Sequence, residues 1–179
     1  MCNLTTINAS AASTPDKFYE LCRHAAVLGT AQAGYTFMPA RGPVTQFLNE
    51  REALLGVSIC GIMDNPKVCL HADVLRRGAE VVKTTNRKIA EAIGINPAAR
   101  TTCVKPEGTS AQLLGTSSGI HPQWDKRYIR TMRLNNNEPQ LQFFRQWNEH
   151  MTEPAVGRLM IRLSTSRSRL PQGRSRAMT

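Results

Sequence analysis

A short β-prone run at residues 103–105 breaks into a loop of small residues and then enters the start of a helix. The whole stretch, residues 103–122, reads CVKPEGTSAQLLGTSSGIHP. At such a turn the first backbone N–H groups of the helix have no intrahelical partner, and the positive end of the helix dipole lies there. Gly108 lets a ligand approach the backbone, while Thr109 and Ser110 can cap the helix or donate hydroxyls to phosphate oxygens. The stretch therefore predicts a strand–loop–helix unit with a phosphate cradle.

The loop differs from the two common nucleotide-binding motifs. No Gly-Lys-Ser or Gly-Lys-Thr triplet follows a glycine-containing loop, and the chain contains no G-x-G-x-x-G pattern. The readings as a P-loop nucleoside triphosphatase and as a Rossmann dinucleotide-binding protein thus lose their main support. The plain alternative stays open, because loops rich in Ser, Thr and Gly are common between elements and often only cap a helix.

Hydrophobic periodicity predicts alternating strands and helices. Thr14 is a suitable N-cap for a helix that begins at Pro15 and ends at Gly34, and a second long helix is predicted over about 72–93. An almost unbroken apolar run at 54–63 is typical of a strand buried on both faces. Three further elements are predicted: strands at 99–105 and 127–134, and a helix that opens at Pro139. Strands separated by helices favour an α/β fold with a parallel sheet.

Positive charge is concentrated at the carboxyl end. Residues 158–179 hold six arginines and no acidic residue, so they contribute six of the ten net positive charges. Clustered arginine can bind nucleic acid through phosphate. However, this tail has no Tyr, Phe or Trp to stack on bases, and its low apolar content is typical of a disordered end. We therefore expect a Ser/Arg-rich tail that is disordered or aberrant, and no nucleic-acid partner.

The cysteines and histidines predict neither disulfides nor a metal site. The five cysteines are an odd number at irregular spacing, and the four histidines lack the spacing of zinc ligands. Cys22, Cys60, Cys69 and Cys103 are expected to be small buried hydrophobes. No apolar run approaches the length of a membrane span, and a secretory leader is not recognisable. We expect a cytoplasmic protein with no membrane partner.

Three ordered stretches of the chain resemble the large, catalytic chain of the ribonucleotide reductases, in the adenosylcobalamin-dependent (class II) form. The segment Pro106–Pro122, which comprises the loop and the residues after it, is similar to the substrate-phosphate loop of that family. Residues 2–8, CNLTTIN, resemble the segment that holds one of its redox cysteines, and residues 55–66, LGVSICGIMDNP, resemble an inner barrel strand and its exit turn. The resemblance continues to about Gly157 and then fades.

The resemblance implies an incomplete α/β barrel, part of the ten-stranded barrel of the ribonucleotide reductase type, over residues 1–157, with 158–179 as the tail. The family converts ribonucleotides to deoxyribonucleotides by thiyl-radical chemistry with adenosylcobalamin as cofactor. Its radical cysteine lies in an Asn-Pro-Cys-Gly-Glu-Ile motif, which this sequence does not contain. We therefore expect an oxidoreductase fragment that is inactive without the missing N-terminal half. Its further partners are a ribonucleotide and a thioredoxin-like or dithiol reductant.

The resemblance also assigns roles to individual residues. Cys2 is one of two thiols that deliver electrons when the ribose 2′-hydroxyl leaves as water, and a dithiol suits such a two-electron step. The substrate-phosphate contacts are Pro106, Glu107, Gly108, Thr109 and Ser110. Because Glu107 is acidic, we expect its backbone N–H rather than its carboxylate to face the phosphate. His121, in the matched Gly-Ile-His-Pro segment, is a candidate cofactor contact.

Two other classes of function stay open. The chain can be a non-catalytic remnant or a nucleotide-phosphate-binding module, in which the loop binds phosphate without chemistry. A basic protein that binds RNA or DNA through its arginine tail is the other alternative. The sequence does not decide between diphosphate and triphosphate substrates.

Overall fold

The computed structural model describes residues 1–125, 129–154 and 160–166. Within them the chain forms two compact units that adjoin in sequence between Gln123 and Trp124. The first unit contains the loop and the cysteines singled out above. The second contains a small antiparallel sheet and a helix.

A parallel pair of strands forms the centre of the first unit. Strand β1 (Asn3–Asn8) lies beside β2 (Leu55–Cys60), and the register runs from Asn3 opposite Leu55 to Asn8 opposite Cys60. On the other side of β2, Thr102 forms a single parallel bridge with Val57. Three segments of the chain therefore run in the same direction, with β2 in the middle and buried along most of its length.

Two long helices cover one face of this sheet. Helix α1 (Pro15–Ala33) is capped by the Thr14 hydroxyl, which accepts from the Lys17 N–H, and α4 (Ala72–Ile93) ends at Gly94 in the left-handed conformation. These caps are the ones predicted from the sequence, because Thr–Pro at a helix start and glycine after a helix end satisfy orphan backbone groups. Shorter helices complete the unit: α2 (Gly42–Glu52), α3 (Pro66–Cys69) and α5 (Gly108–Leu114).

The hydrophobic core lies between the sheet and these two helices. Ile7 of β1 and Val57 of β2 pack with Phe18 of α1 and Val82 of α4. The helices approach closely at Gly78, where an added Cβ would come 2.6 Å from the ring of Phe18. Since side chains alternate along a strand, the core occupies one face of the sheet and leaves the opposite face for other residues.

A buried amide fixes the segment that leads to the loop. Asn86 of α4 donates to the Thr30 hydroxyl at 2.9 Å and accepts from the Ala98 N–H at 2.9 Å. Thr30 in turn donates to the Ala26 carbonyl within α1. Asn86 therefore ties both helices to the chain just before the Thr102 bridge.

The second unit pairs strands in the opposite sense. Strands β3 (Ile129–Asn135), β4 (Thr152–Pro154) and β5 (Met160–Ser166) form an antiparallel sheet in the order β3-β5-β4. Helix α6 (Pro139–Asn148) buries Leu141 against Leu134 and Phe144.

Comparison with the sequence predictions confirms the α/β class and the helices that begin at Pro15, near residue 72 and at Pro139. The buried strand at 54–63 is also confirmed but shorter. The strand predicted at 99–105 is wrong in extent, since the structure shows only the bridge at Thr102. Helix α2 and strand β1 were not predicted, and the second sheet is antiparallel rather than parallel. The strand predicted at 127–134 is β3, although residues 126–128 lie outside the described part.

The tail also differs in part from expectation. Residues 160–166 form β5, whereas the sequence predicted disorder from residue 158. Residues 155–159 and 167–179 lie outside the described residues. The division of the chain at residue 157 therefore stays a prediction.

The amide of Asn86 generates the first testable prediction. Asn86→Ala should lower the free energy of unfolding by about 2–3 kcal/mol, because it leaves a buried hydroxyl and a partly buried N–H without their partner. Urea unfolding followed by circular dichroism measures the change. As a matched control, Asn96→Ala removes an exposed amide that donates to the Glu50 carbonyl, and it should cost less than about 1 kcal/mol. Equal losses of unfolding free energy in Asn86→Ala and Asn96→Ala would contradict the structural role of Asn86.

Candidate functional site

The face of the sheet opposite the core carries small and polar side chains. Thr6 of β1 and Ser58 of β2 are cross-strand partners, and their hydroxyl oxygens lie 3.4 Å apart. Ser58 is buried, although it is a polar residue within an otherwise apolar strand. Two hydroxyls side by side on adjacent strands offer a pair of donors to one acceptor.

That acceptor is the carboxylate of Glu107, which comes from the loop. Thr6 donates its hydroxyl to Glu107 Oε1 at 2.9 Å, and Ser58 donates to the same oxygen. The Glu107 side chain is completely buried, and the Lys105 ammonium lies 3.3 Å from its Oε1. Lys105 also donates to Thr6 Oγ1 at 3.3 Å. The carboxylate therefore joins β1, β2 and the loop at one point.

The hydrogen bonds decide the protonation state of this carboxylate. Burial by itself would raise the pKa of Glu107, but hydrogen bonds from Ser58, Thr6 and Ser110 and the charge of Lys105 hold the pKa below its ordinary value. Glu107 is consequently ionised at neutral pH and acts as an acceptor. A buried carboxylate without these donors would be far less favourable.

The Glu107 backbone makes the turn from the loop into α5. Its φ is +58°, in the left-handed region that few residues other than glycine adopt. The carbonyl of Glu107 accepts from the Ala111 N–H at 2.8 Å, which closes the first helical turn. Gly108 and Thr109 follow directly and are exposed, and no atom lies within 4 Å of a Cβ built on Gly108. The side-chain position of Gly108 thus borders open space, while the carboxylate of Glu107 is directed into the sheet.

The segment after α5 returns to the end of β2. Ser117 donates its N–H to Asp64 Oδ2 at 2.7 Å, and the Gly119 carbonyl accepts from the Ile62 N–H at 3.1 Å. A Cβ on Gly119 would come 2.6 Å from the Lys105 carbonyl oxygen, so the close approach requires glycine there. The two segments predicted separately, the loop and the strand exit turn, are therefore in direct contact.

The structure places Cys2 and the loop on the same face of the sheet but does not bring them together. Cys2 is exposed and lies just before β1, four residues ahead of Thr6, which corresponds to about 13 Å along an extended strand. A site that uses both must therefore be long enough to span this distance.

The remaining predicted contacts lie around the loop. Pro106 is exposed and its carbonyl accepts from the Ser118 hydroxyl, while Ser110 is half-buried in the first turn of α5. His121 is exposed, and its backbone N–H donates to the Ser118 carbonyl at 2.9 Å. Its role toward a cofactor stays a prediction. In the described part of the chain, no group of three or more His, Cys, Asp or Glu side chains is placed to hold a metal ion.

Sequence reasoning missed three residues of this face. Thr6 and Ser58 hold the Glu107 carboxylate, and Cys103 is half-buried rather than a buried hydrophobe. The prediction of burial is confirmed for Cys22, Cys60 and Cys69. Alternation along the strands carried a usable signal, because Cys2 and Thr6 are an even number of residues apart in one extended segment and share a face.

The described residues include no helix that is long and apolar enough to cross a membrane.

The buried carboxylate generates a prediction about pH. Because the pKa of Glu107 is lower in the folded chain than its ordinary value of 4.5, its ionised form stabilises the fold above that value, and the stabilisation is lost as the pH falls through the folded pKa. Glu107→Gln should therefore lower the free energy of unfolding at pH 7 by about 1–3 kcal/mol, and the difference from the parent chain should shrink at acid pH.

Urea unfolding at several pH values between 7 and 3 measures this effect. Glu80→Gln is the matched control, since Glu80 forms an exposed ion pair with Lys83 and such pairs contribute little. If the difference in unfolding free energy between Glu107→Gln and the parent chain did not change at low pH, the assignment of Glu107 as ionised would be wrong.

Comparison with known proteins finds similarity to enzymes of one name. The chain is 34% identical over 77 residues to the adenosylcobalamin-dependent ribonucleoside-triphosphate reductase of Lactobacillus acidophilus. The matched stretch covers 43% of this chain and 10% of that protein. It is 35% identical over 75 residues to the enzyme of the same name from Lactobacillus helveticus, again over 10% of the relative. No family model matches the chain.

A solved structure shows the same fold. The crystal structure of a B12-dependent (class II) ribonucleotide reductase superposes with a TM-score of 0.69 at 17% identity, over 94% of this chain and 27% of that one. The chain thus spans about a tenth of the length of the curated relatives it matches. The resemblance seen in the sequence is confirmed: over part of its length the chain is similar in sequence to adenosylcobalamin-dependent ribonucleoside-triphosphate reductases, and its fold is similar to a segment of a class II ribonucleotide reductase.

Proposed function

We propose that this chain is the part of a class II ribonucleotide reductase that binds the substrate phosphates and supplies one of the two reducing thiols. The observation that carries the proposal is the loop at 106–110. Its only carboxylate pairs with Lys105 and accepts from Thr6 and Ser58 at the sheet, while Gly108 and Thr109 at the start of the following helix are exposed. Because the negative charge of Glu107 is compensated by Lys105, it does not prevent a phosphate from binding at the start of α5.

The phosphate contacts are derived from this arrangement. The backbone N–H groups of Gly108, Thr109 and Ser110 carry the partial positive charge of a helix start, and the hydroxyl of Thr109 can donate in addition, whereas the Ser110 hydroxyl donates to the Glu107 carboxylate. Glu107 positions the loop through its side chain and contributes at most its own N–H to the ligand. Pro106 fixes the backbone that enters the turn.

Cys2 is the proposed electron donor. As the ribose 2′-hydroxyl leaves as water, two thiols lose two electrons and two protons and become a disulfide, which a thioredoxin-like protein or another dithiol then reduces. Cys2 is exposed, as such exchange requires. The roughly 13 Å of strand between Cys2 and Thr6 allows a nucleotide to lie along the sheet face, with its phosphates at the loop and its ribose toward Cys2.

One apolar groove of the first unit does not fit adenosylcobalamin. It has a volume of about 730 Å³, and Thr102 carries the only hydroxyl among its lining side chains. A corrin ring bears many amide groups that need hydrogen-bond partners when buried. In our proposal other parts of the reductase therefore bind the cofactor, with His121 as the candidate contact from this chain.

The architecture proposed is a portion of the ten-stranded α/β barrel, formed by residues 1–157 and followed by the tail at 158–179. The parallel order of β1, β2 and the Thr102 segment supports it, since consecutive parallel strands covered by helices on one face are the repeating unit of such barrels. The radical chemistry needs the Asn-Pro-Cys-Gly-Glu-Ile segment, which is absent from this sequence.

A second candidate is a nucleotide-phosphate-binding module or a non-catalytic remnant. The same exposed helix start supports it, because phosphate binding needs neither Cys2 nor the missing half. Binding and turnover measured separately distinguish the two.

Nucleotide binding is the first test. The chain should bind a ribonucleoside triphosphate, and Thr109→Ala should weaken binding by about tenfold, since one hydrogen bond to a charged phosphate oxygen is lost. Calorimetric titration measures both affinities. Thr84→Ala, a substitution on α4 away from the loop, is the matched control and should leave the affinity unchanged. If the parent chain binds no nucleotide, the phosphate loop is not functional in this chain.

Turnover is the second test. The chain alone, given adenosylcobalamin, a dithiol and a ribonucleotide, should form no deoxyribonucleotide, because no radical cysteine motif is present. Mixed with the complementary part of a class II reductase, it should restore activity, and Cys2→Ser should abolish that restored activity with a dithiol as reductant. Chromatography of the nucleotides measures the product. Turnover by the isolated chain would refute the fragment proposal, whereas binding without any restoration would favour the binding module.

A further inference from the structure

Two thiols meet over one glycine of the central strand. A Cβ built on Gly56 would lie 2.9 Å from Cys2 Sγ and 3.0 Å from Cys103 Sγ. Cys2 approaches from the side of β1, and Cys103 from the segment that bridges β2 at Thr102. Because both sulfurs reach the same small volume, they are near neighbours across β2, although more than a hundred residues of chain separate them.

The surroundings divide the five thiols into two groups. Cys22, Cys60 and Cys69 are at most 2% exposed, and burial raises the pKa of Cys22 to about 12 and that of Cys69 to about 11. A thiol with so high a pKa is hardly ionised at neutral pH and is therefore a poor nucleophile. Cys2 is exposed and Cys103 is half-buried. Solution reagents therefore have access to the pair over Gly56 and not to the other three.

The two members of the pair differ in character. Burial, and then the proximity of Cys2, raises the pKa of the Cys103 thiol, although the charge of Lys105 opposes this shift. The more exposed Cys2 is therefore the thiol that reacts first with an incoming disulfide, and Cys103 is in place to react second.

We propose that Cys2 and Cys103 are a redox pair that low-molecular-weight disulfides convert into an intramolecular disulfide. The Cys2 thiolate attacks oxidised glutathione, forms a mixed disulfide and releases one glutathione. The Cys103 thiolate then attacks the Cys2 sulfur, closes the Cys2–Cys103 bond and releases the second glutathione. The two protein thiols lose two electrons and two protons, and the oxidant gains them as two glutathione thiols. A dithiol reverses both steps.

Closure requires a small movement at the start of β1. Two strands that flank a common neighbour lie about 10 Å apart in an undistorted sheet, which exceeds the Cα separation that a disulfide spans. Cys2 precedes the first residue of β1, whereas the Cys103 N–H is held by the Val57 carbonyl at 3.0 Å. Cys2 is thus the member that moves. No side chain of Gly56 itself lies between the sulfurs, although Leu4 Cδ2 comes closer than either sulfur to the position of a Cβ built there and has to yield as the bond closes.

This inference rests on the proposed function in one respect, because the Cys2–Cys103 disulfide would occupy the Cys2 thiol that we propose as electron donor. The ability of the chain to reduce a substrate would then depend on the ratio of thiols to disulfides in its surroundings. Its formation needs no nucleotide and no cofactor. Failure of the phosphate-binding test therefore leaves this inference intact, and failure of the disulfide test leaves phosphate binding intact.

Peptide mapping of the full chain tests the proposal. The reduced protein is incubated with oxidised glutathione, blocked with an alkylating reagent, digested and analysed by mass spectrometry. The expected product is a peptide pair that joins Cys2 to Cys103, with loss of two hydrogens, and that disappears on addition of a dithiol. Cys22, Cys60 and Cys69 should be alkylated only after denaturation.

Two variants sharpen the test. Cys103→Ser should convert the product into a persistent glutathione adduct on Cys2, because no second thiol resolves it. Gly56→Ala places a methyl group between the sulfurs and should slow bridge formation by about tenfold or more. Gly34→Ala is the matched control, since its added Cβ meets no atom closer than 3.3 Å, and it should react like the parent chain.

Two results would overturn the proposal. One is a parent chain that accumulates the glutathione adduct on Cys2 without any linked peptide. The other is a Cys103→Ser chain that releases its adduct as fast as the parent does. Should Gly56→Ala fail to fold, the Cys103→Ser comparison alone still decides the outcome.

Discussion

A single buried carboxylate holds together the three chain segments that make up the candidate site. The Glu107 side chain accepts from hydroxyls on β1 and β2 and pairs with Lys105 of its own loop. Buried charge is costly unless it is paired and hydrogen-bonded, so these donors stabilise the loop in its position on the sheet. The start of α5 follows directly from this anchored residue.

The same arrangement separates structural from ligand-binding roles within five residues. Glu107 turns its carboxylate inward and takes a left-handed backbone conformation, which directs the next residues outward. Gly108 and Thr109 are consequently exposed. An acidic residue inside a proposed phosphate loop is thus compatible with anion binding, because its charge is already compensated by Lys105 and two hydroxyls.

The two ends of the sheet face offer different chemistry. At the carboxyl ends of the strands lie the loop and its ion pair, and near the amino end of β1 lie the two accessible thiols over Gly56. The helices cover the opposite face and contribute the hydrophobic core, so neither site competes with packing. This parallel sheet thus packs one face against the core and carries the candidate site on the other.

The helices were predictable because their signals are local. Thr14–Pro15 and Gly94 mark boundaries within one turn of the residues they cap, and the apolar spacing of α1 and α4 needs no partner to be recognised. Helix α2 escaped prediction because its large apolar residues Phe47 and Leu48 are exposed and give no clear face. The strand expected at 99–105 has one bridge only, since strand formation depends on a partner that propensity does not report.

By itself, the sequence determined the α/β class, the two long helices, the small-residue loop before a helix and the likeness to the reductases. Tertiary structure alone decided which residues meet. The contact between Thr6 and Glu107 joins positions 101 residues apart, and the Cys2 and Cys103 thiols are neighbours only because the segments that carry them flank Gly56 of β2. Such pairings follow from sheet register and loop closure, which are set by the packing of the whole unit rather than by any short stretch of residues.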